Sequence, residues 1–282
     1  MRPAAPADVE PRTLAPPERR VAAVVANRSL GAYRLLSARD SAGPADPRPG
    51  QFYMLAAAER WGGGADERPY LPRAFSFARA RRAGEGVELD FLLEAIGHGT
   101  ERLGALEPGE GLALVGPLGV GFTAVADGAS VLVGGGIGAA PVLALDDELR
   151  EAGAEPTVLL GFRSAAHAAG AELFAGPQVV TDDGSVGRQA LVTELLGEHL
   201  DVHPHAAVHA CGPPPMLEAV RRLCADRSTP AQLALESGMA CGFGACFGCV
   251  VPTKDGYIRL CVEGPVLDAQ RLDSALFPGA GH

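Results

Sequence analysis

Four cysteines near the end of the chain constrain its fold more than any other feature of the sequence. Their spacing is C-x4-C-x2-C, followed after 11 residues by a fourth cysteine; they are Cys241, Cys246, Cys249 and Cys261. This spacing is typical of plant-type [2Fe–2S] centres. Three glycines lie among them, Gly242, Gly244 and Gly248. Because glycine lets the backbone wrap around a compact cluster and bring its N–H groups to the sulfur atoms, the pattern predicts an iron–sulfur site.

Zinc binding and disulfide formation are alternative roles that the sequence leaves open for these cysteines. A structural zinc site commonly uses two C-x2-C pairs, whereas this segment holds one, so zinc is the less favoured metal. Disulfides are disfavoured because the first 20 residues lack the apolar core of a secretion signal and three of the thiols lie within nine residues. Cys224 is expected to be a core residue of a helix. Cys211 follows a predicted strand, where open α/β sheets bind ligands.

The composition narrows the possible partners and the compartment. The 24 Lys and Arg against 34 Asp and Glu give a net charge of −10, which argues against nucleic acid or anionic membrane as a partner. The longest uncharged stretch, residues 128–145, is interrupted by glycines and Pro141, so no membrane span is expected. The proline-rich residues 1–20 are expected to be a disordered tail. Reduced cysteines and the missing signal predict a cytoplasmic protein.

The order of the apolar segments predicts two domains of different class before the cysteine-rich region. Over residues 21–125, short apolar runs between turn signals predict a small antiparallel β-barrel or sandwich; the expected strands are Val21 to Val25, Gln51 to Ala56, Ala74 to Ala78, Val87 to Leu93 and Gly111 to Val115, with a mobile loop at Trp61 to Gly64. Over residues 126–226, strands at 131–133, 157–162 and 206–210 alternate with helices after Pro141 and at 214–225, which predicts a parallel α/β domain. Residues 227–282 form a third, small domain with the cysteines.

A glycine-rich loop follows the first strand of the predicted α/β domain. The segment Gly134 to Ala139 fits G-x-G-x-x-A, and a helix that begins there can hold a pyrophosphate on its free N–H groups. The acidic residue expected about 20 positions later is missing, because the second strand ends at Phe162-Arg163-Ser164. Nucleotide binding is favoured over a turn used only for packing. The choice between NAD and NADP stays open.

Two segments of the predicted barrel are candidate phosphate or flavin contacts. Gly97-His98-Gly99-Thr100 precedes a helical turn whose N–H groups and Thr100 hydroxyl suit a phosphate, although a plain helix cap accounts for it as well. Arg73 with Ser76 suits a phosphate and a flavin edge, although an arginine in solvent also accounts for that strand position.

In this order, the segments resemble the ferredoxin–NADP reductase-like superfamily, and more closely the electron-transfer subunits of class 1B dihydroorotate dehydrogenases. The resemblance covers roughly residues 21–270. Its most specific marks are Met239-Ala-Cys241-Gly-Phe-Gly-Ala-Cys246 and Cys261-x-x-Gly264-Pro265-Val266. The others are Arg73-x-x-Ser76, Gly97-x-Gly99-Thr100, Gly116-Pro-Leu-Gly119, Gly134-Gly-Gly-Ile-Gly138, Thr181-Asp-Asp-Gly-Ser185 and Cys211-Gly-Pro-x-Pro-Met216.

The resemblance implies three cofactors: FAD, a [2Fe–2S] cluster and NAD as redox substrate. It assigns the FAD site to Arg73, Ala74, Phe75, Ser76, Leu92, Leu93, Glu94, Gly99 and Thr100. It assigns the nicotinamide nucleotide site to Gly134, Gly136, Gly138, Cys211, Gly212 and Pro213, and the cluster to Cys241, Cys246, Cys249 and Cys261. Three residues depart from the family pattern: Ala74 replaces a proline, Glu94 a basic residue and Gly238 an arginine.

The function that the resemblance implies is electron transfer, through the cluster and FAD, between NAD and the FMN of a dihydroorotate dehydrogenase catalytic subunit in pyrimidine biosynthesis. The complex is expected to hold two copies of each subunit. No catalytic acid or base for the orotate chemistry is expected on this chain. Two alternatives stay open: the same redox module serving another partner, such as a ferredoxin:NAD(P) oxidoreductase or a sulfide dehydrogenase-like complex, and a zinc-binding regulatory or scaffold protein without enzymatic activity.

Overall fold

The computed structural model describes residues 12–63, 70–123 and 129–281. Its first part contains seven strands and one helix: β1 (Arg20–Leu30), β2 (Tyr33–Asp40), β3 (Phe52–Ala57), β4 (Arg73–Ser76), β5 (Arg79–Ala83), β6 (Gly86–Leu93), α1 (His98–Gly104) and β7 (Gly111–Leu118). The strands form one antiparallel sheet in the order β4-β3-β7-β1-β2-β6-β5.

Aromatic packing shows that this sheet curls into a half-barrel. In a flat sheet, β3 and β6 would be about 19 Å apart, because four strand spacings separate them. Instead, the rings of Tyr53 on β3 and Phe91 on β6 meet edge to face with 5.8 Å between their centroids. Phe77 also packs edge to face on Tyr53, with 6.4 Å between the ring centroids, and all three rings are buried. The core therefore lies inside the curl, as the barrel prediction requires.

The second sheet is parallel except at one edge. Its strands are β8 (Ser130–Gly135), β9 (Thr157–Phe162), β10 (Gln178–Thr181), β11 (Arg188–Gln189), β12 (Ala207–Cys211), β13 (Ala231–Ala234) and β16 (Val266–Asp268). They lie in the order β11-β10-β9-β8-β12-β13-β16, and only β16 is antiparallel to its neighbour. The helices of this part are α2 (Ala139–Glu151), α3 (Ala165–Ala168), α4 (Val192–Val202) and α5 (Pro214–Asp226), with short 3-10 turns at 136–138, 169–173 and 269–271. The predicted parallel α/β class is confirmed.

The cysteine-rich region is inserted between two strands of this sheet. Between β13 and β16 the chain forms the hairpin β14 (Val250–Thr253) and β15 (Gly256–Arg259) and the short helix α6 (Leu260–Glu263). We call residues 235–265 the cysteine segment. The sheet thus crosses the expected boundary at residue 226, because Leu233 and Leu267 bury their side chains in the core that also packs helix α5. The expected boundary at 125 falls among residues 124–128, outside the described ranges.

Two barrel strands were not anticipated from the sequence. Strand β2 lacks a regular alternation because it pairs with both β1 and β6 and most of its residues are buried. Strand β5 lies at the sheet edge and carries three arginines, so it lacks the apolar run from which the other strands were predicted.

Two other expectations lie partly outside the described ranges. Of the expected disordered tail, residues 1–11 are not described, and Thr13 N donates a 3.1 Å hydrogen bond to Gln51 Oε1. The expected mobile loop is described only from Trp61 to Gly63. Within the described parts of the chain, no helix has the length and apolarity needed to cross a membrane.

Candidate functional site

A cleft of about 550 Å³ lies between strand β4 of the half-barrel and the start of helix α2. The half-barrel lines it with five residues predicted for FAD: Arg73, Ala74, Phe75, Ser76 and Leu92. The α/β sheet contributes Ile137, Ala140, Pro141 and Cys211, and the cysteine segment contributes residues 235–240 and Gly248. We call it the flavin cleft. Three parts of the chain that are far apart in sequence meet there.

Arg73 brings a positive charge to the flavin cleft. Its side chain packs against the start of α1, where a Cβ on Gly99 would lie 2.9 Å from the guanidinium carbon. The Arg73 guanidinium can therefore lie here because Gly99 has no side chain. The Leu71 carbonyl accepts a hydrogen bond from Arg73 Nη1, which orients the guanidinium. A guanidinium held in this way suits the phosphate groups of a dinucleotide.

The remaining residues predicted for FAD lie elsewhere. Because side chains alternate along a strand, Leu92 faces the flavin cleft while Leu93 points into the barrel core. The next residue, Glu94, lines a different cleft. The Thr100 hydroxyl accepts hydrogen bonds from Ile96 N at 3.0 Å and Gly97 N at 3.1 Å, so it stabilises the turn before α1. In this structure the Thr100 hydroxyl therefore has the role of a helix cap, the alternative that the sequence left open for it.

A second cleft, of about 580 Å³, lies at the carboxyl ends of β8, β9, β10 and β12. Open α/β sheets bind nucleotides at this edge, and we call it the nucleotide cleft. Its lining includes four residues that were predicted for the nucleotide, Gly136, Gly138, Gly212 and Pro213. A Cβ on Gly138 would collide with the carbonyl oxygen of Cys211, so only glycine lets the loop approach the end of β12 this closely. The other two residues predicted for the nucleotide lie elsewhere: Gly134 is within strand β8, and Cys211 lines the flavin cleft.

The two clefts share a wall formed by Ile137, Glu236 and Gly281. Sequence reasoning missed Glu236, although it lies only five positions before Cys241. Its side chain is exposed to the cleft space, but the surrounding protein desolvates the carboxyl group and raises its pKa. In the flavin cleft, burial raises the pKa of the Cys211 thiol well above its usual value, so the thiol is neutral. A nicotinamide in one cleft and a flavin in the other would therefore meet beside a carboxyl group whose ionised form is disfavoured by desolvation.

The four cysteines of the cysteine segment form two pairs. Cys249 and Cys261 are buried, with 3.2 Å between their sulfur atoms. Cys246 is exposed, and its backbone N–H donates to the Cys241 sulfur at 3.4 Å. Among the residues that the structure describes, no three Cys, His, Asp or Glu side chains converge so as to hold one metal ion. Two separate pairs fit a binuclear cluster, in which each iron takes two cysteines, better than a single zinc ion.

Backbone N–H groups surround the sulfur atoms. Partial burial raises the pKa of the Cys241 thiol, but hydrogen bonds from the N–H groups of Cys246, Phe243 and Ala245 outweigh it and lower the pKa to about 6. At Cys261, burial and the neighbouring Cys249 raise the pKa to about 12, against a hydrogen bond from Gly244 N–H. Donors aimed at sulfur stabilise the negative charge of thiolate ligands. The donor set therefore fits an iron–sulfur cluster.

The cysteine segment packs directly on the half-barrel. Gly242 has φ +82°, and a Cβ there would collide with Met54 of β3. Val120 N, just after β7, donates a 2.5 Å hydrogen bond to the Gly264 carbonyl. These contacts hold the four cysteines beside the flavin cleft, so cluster and flavin would be neighbours.

Together, the antiparallel half-barrel, the parallel α/β sheet and the clefts between them define a ferredoxin-reductase-like protein. A solved NADH-dependent reduced ferredoxin-NADP oxidoreductase, from work on flavin-based electron bifurcation, has this fold: it superimposes with a TM-score of 0.75 over 90% of both chains, at 23% sequence identity. The predicted fold class is confirmed.

Sequence comparisons identify the family within this class. The iron–sulfur cluster binding domain of dihydroorotate dehydrogenase B matches residues 236–273. The NAD(+)-linked dihydroorotate dehydrogenase B electron transfer subunit of Desulforamulus reducens is 37% identical over 77% of this chain and 84% of its own length. That of Clostridium acetobutylicum is 34% identical over 79% and 85%. The chain belongs to the family of dihydroorotate dehydrogenase B electron transfer subunits, as the resemblance predicted.

The family match also bears on the cofactors. The iron–sulfur domain, the reductase fold and the relatives' NAD(+) designation support an iron–sulfur cluster, FAD and NAD. They favour an oxidoreductase electron-transfer subunit over the zinc-binding scaffold. The individual contact residues remain predictions.

Proposed function

We propose that this chain carries electrons between the FMN of a dihydroorotate dehydrogenase catalytic subunit and NAD. The supporting observation is the order of the three sites. The nucleotide cleft shares a wall with the flavin cleft, and residues 237–240 and Gly248 of the cysteine segment line the flavin cleft but not the nucleotide cleft. Electrons entering at the cysteines thus have a direct route to the nucleotide, with the flavin position between them.

Each region has a distinct task in this proposal. The glycine loop and the start of α2 bind the pyrophosphate of NAD, and Arg73 binds the phosphates of FAD. FAD, when bound, exchanges a hydride with nicotinamide and single electrons with the cluster. Phe52, Phe75 and Met239 line the flavin cleft and exclude water from the ring. No residue of this chain is assigned an acid or base role in the orotate chemistry, which belongs to the partner.

The four cysteines hold the cluster, and the N–H groups around them favour its reduced, more negative state. Cys241 and Cys246 form the outer pair and Cys249 and Cys261 the inner pair. In the outer pair Cys246 is exposed, and two exposed aromatic side chains, Phe243 and Phe247, lie within three residues of it in the chain. An exposed apolar surface beside a redox centre suits docking of the catalytic subunit. We propose a complex with two copies of each chain.

Purification under anaerobic conditions tests the cofactor content. We expect about two irons, two acid-labile sulfides and one FAD per chain, because four cysteines hold one [2Fe–2S] cluster. One zinc without flavin contradicts the proposal. A chain with the cluster but little flavin indicates that Ala74 and Gly238, the departures in the flavin cleft, have weakened FAD binding.

Purification from the native cell tests the partner. An FMN-containing subunit that co-purifies and oxidises dihydroorotate with NAD⁺ supports the proposal. A ferredoxin or a sulfide-oxidising protein in its place favours the same redox module with another partner.

We propose that this protein is located in the cytoplasm, because the six cysteines form no disulfide and free thiols suit a reducing compartment.

A further inference from the structure

Both domains contribute charged groups to the rim of the nucleotide cleft. Glu94, after the end of β6, accepts a 3.0 Å hydrogen bond from Arg163 Nη2, after the end of β9. The same carboxylate lies 3.3 Å from His167 Nε2 of helix α3. Ser164 Oγ, in turn, lies 3.0 Å from His167 Nδ1. The half-barrel therefore places a carboxylate at the end of the second strand of the α/β sheet.

This position is the one at which such sheets distinguish the two nicotinamide nucleotides. In dinucleotide-binding α/β folds, an acidic residue after the second strand accepts a hydrogen bond from the ribose 2′-hydroxyl of NAD, whereas an arginine accommodates the 2′-phosphate of NADP. Here the strand itself provides Arg163 and no acid. Glu94 supplies the missing acid from the half-barrel, and the same carboxylate forms an ion pair with Arg163.

A second feature fits the binding of a polar ligand in this part of the cleft. The Tyr33 hydroxyl is buried and has no hydrogen-bond partner among the described residues. Its ring packs edge to face on His167, and the hydroxyl faces the glycine loop, 3.9 Å from where a Cβ of Gly136 would lie. A buried hydroxyl without a partner is costly. A nucleotide phosphate or ribose in the cleft would remove that cost.

The charge balance around Arg163 opposes a 2′-phosphate. Glu94 pairs with it, and Asp182 lines the same cleft after β10. A 2′-phosphate would approach two carboxylates and would have to displace Glu94 from the arginine. A 2′-hydroxyl would instead donate to the carboxylate without disturbing the pair. Displacement of Glu94 from Arg163 is therefore the step that distinguishes the two ligands.

Building on the proposed function, we infer that Glu94 is a specificity-determining residue that makes the nucleotide cleft select NAD over NADP. The inference concerns the adenosine ribose end of the nucleotide and leaves the hydride chemistry untouched. It also accounts for the use of NAD by a chain with an arginine after the second strand.

The test compares two ribose probes, 5′-AMP and 2′,5′-ADP, by calorimetry on the complete chain with its cofactors bound. The variant Glu94→Gln keeps the size of the side chain and removes its charge. We expect it to strengthen binding of 2′,5′-ADP relative to 5′-AMP by about tenfold or more in the ratio of the two dissociation constants, equivalent to about 1.4 kcal/mol. The NADPH-to-NADH preference in dye reduction should shift in the same direction.

Two further variants make the result specific. Glu88→Gln makes the same change within β6, the strand that Glu94 follows, but Glu88 pairs with Arg39 and Arg81 outside both clefts, so its ratio should equal that of the wild type. In the double variant Glu94→Gln with Arg163→Ala, the gain in relative affinity for 2′,5′-ADP should disappear, because the arginine released by Glu94→Gln is the source of that gain.

An unchanged ratio in Glu94→Gln, or a shift that persists without Arg163, overturns the inference. Binding of both probes with no change of ratio leaves the proposed function intact. If neither probe binds the wild-type chain or competes with NADH, the cleft is not a nucleotide site and the proposed function fails as well.

Discussion

The two clefts have similar volumes, about 550 and 580 Å³, but their walls are of different kinds. The flavin cleft lies beside strand β4 and much of the cysteine segment, and Arg73 is its cation. The nucleotide cleft lies at the carboxyl edge of the parallel sheet and has a rim of charged groups, Glu94, Arg163 and Asp182. The difference matches the tasks proposed for them: a single arginine suits the phosphates of a resident flavin, whereas a rim with charges of both signs suits reversible polar contacts with an exchanging nucleotide.

The largest expected effect separates the flavin cleft, which Gly248 beside Cys249 lines, from the nucleotide cleft, which it does not line. Cys249→Ser should abolish iron incorporation and reduce FAD content, because Cys249 is buried next to Gly248, which lines the flavin cleft. Binding of 5′-AMP should stay within about threefold of the wild type, because no cysteine ligand lines the nucleotide cleft.

Metal analysis, flavin content and calorimetry provide these three values. Cys224→Ser is the matched control, since Cys224 is equally buried but lies on α5 away from the cluster. Iron retained in Cys249→Ser, or nucleotide binding lost together with iron, would remove the distinction between the clefts.

The next effect concerns the cation of the flavin cleft. Arg73→Ala should weaken FAD binding by about 10- to 100-fold, the value of one or two charge-assisted hydrogen bonds. Flavin fluorescence during titration of the deflavinated chain measures the change. Arg163→Ala should leave FAD affinity unaltered, because Arg163 lines only the nucleotide cleft. Equal losses in both variants would mean that the flavin contacts both arginines.

A smaller effect is expected from the close contact behind the nucleotide cleft. Gly138→Ala puts a methyl group against the Cys211 carbonyl oxygen, so the loop must move away from β12. We expect the KM for NADH to rise by about tenfold, because a displaced loop presents its N–H groups less well to a pyrophosphate. Gly197→Ala, on the open surface of α4, is the control. A normal KM in Gly138→Ala would show that the loop adapts without loss.

The smallest expected effect on the two clefts comes from a change outside both of them, which acts on stability instead. Glu218 of α5 accepts hydrogen bonds from Arg221, Arg222 and Ala275 N, and the bond from Arg221 contributes most to lowering its pKa from 4.5 to about 2, against partial desolvation. A lowered carboxyl pKa contributes stability that is present above pH 4.5 and is lost as the pH falls towards 2.

Glu218→Gln should therefore lower the free energy of unfolding by about 2 kcal/mol at pH 7, with both ligand affinities unchanged. The difference from the wild type should shrink below pH 4.5, which urea unfolding at several pH values measures. A difference that stays constant from about pH 7 to about pH 3 would show that the charge of Glu218 has no part in it.

The sequence predicted those features whose residues lie close together in the chain. The cysteine spacing and the glycine loop each lie within a few residues, and both predicted their regions correctly in outline. The insertion of the cysteine segment between β13 and β16 was not predictable, because it depends on Leu233 and Leu267 packing with a helix far away in sequence.

The positions of Glu94 and Glu236 show the same limit. Glu94 follows a strand of the half-barrel, yet its partner Arg163 is 69 positions away in the chain, so only the packing of the two domains brings them together. Glu236 was passed over because nothing near it in the sequence marks it as part of a cleft wall. Pairs of residues on different domains leave no periodic or spacing pattern that a single sequence can display.

The most direct test of the central claim is an anaerobic addition of NADH to the purified chain, followed by electron paramagnetic resonance. The account predicts the signal of a reduced [2Fe–2S] cluster in the wild type and its loss in the deflavinated chain, because electrons reach the cysteines only through the flavin cleft. A cluster that NADH reduces equally well without FAD, or a flavin that NADH bleaches while the cluster stays oxidised, would contradict the proposed order of the three sites.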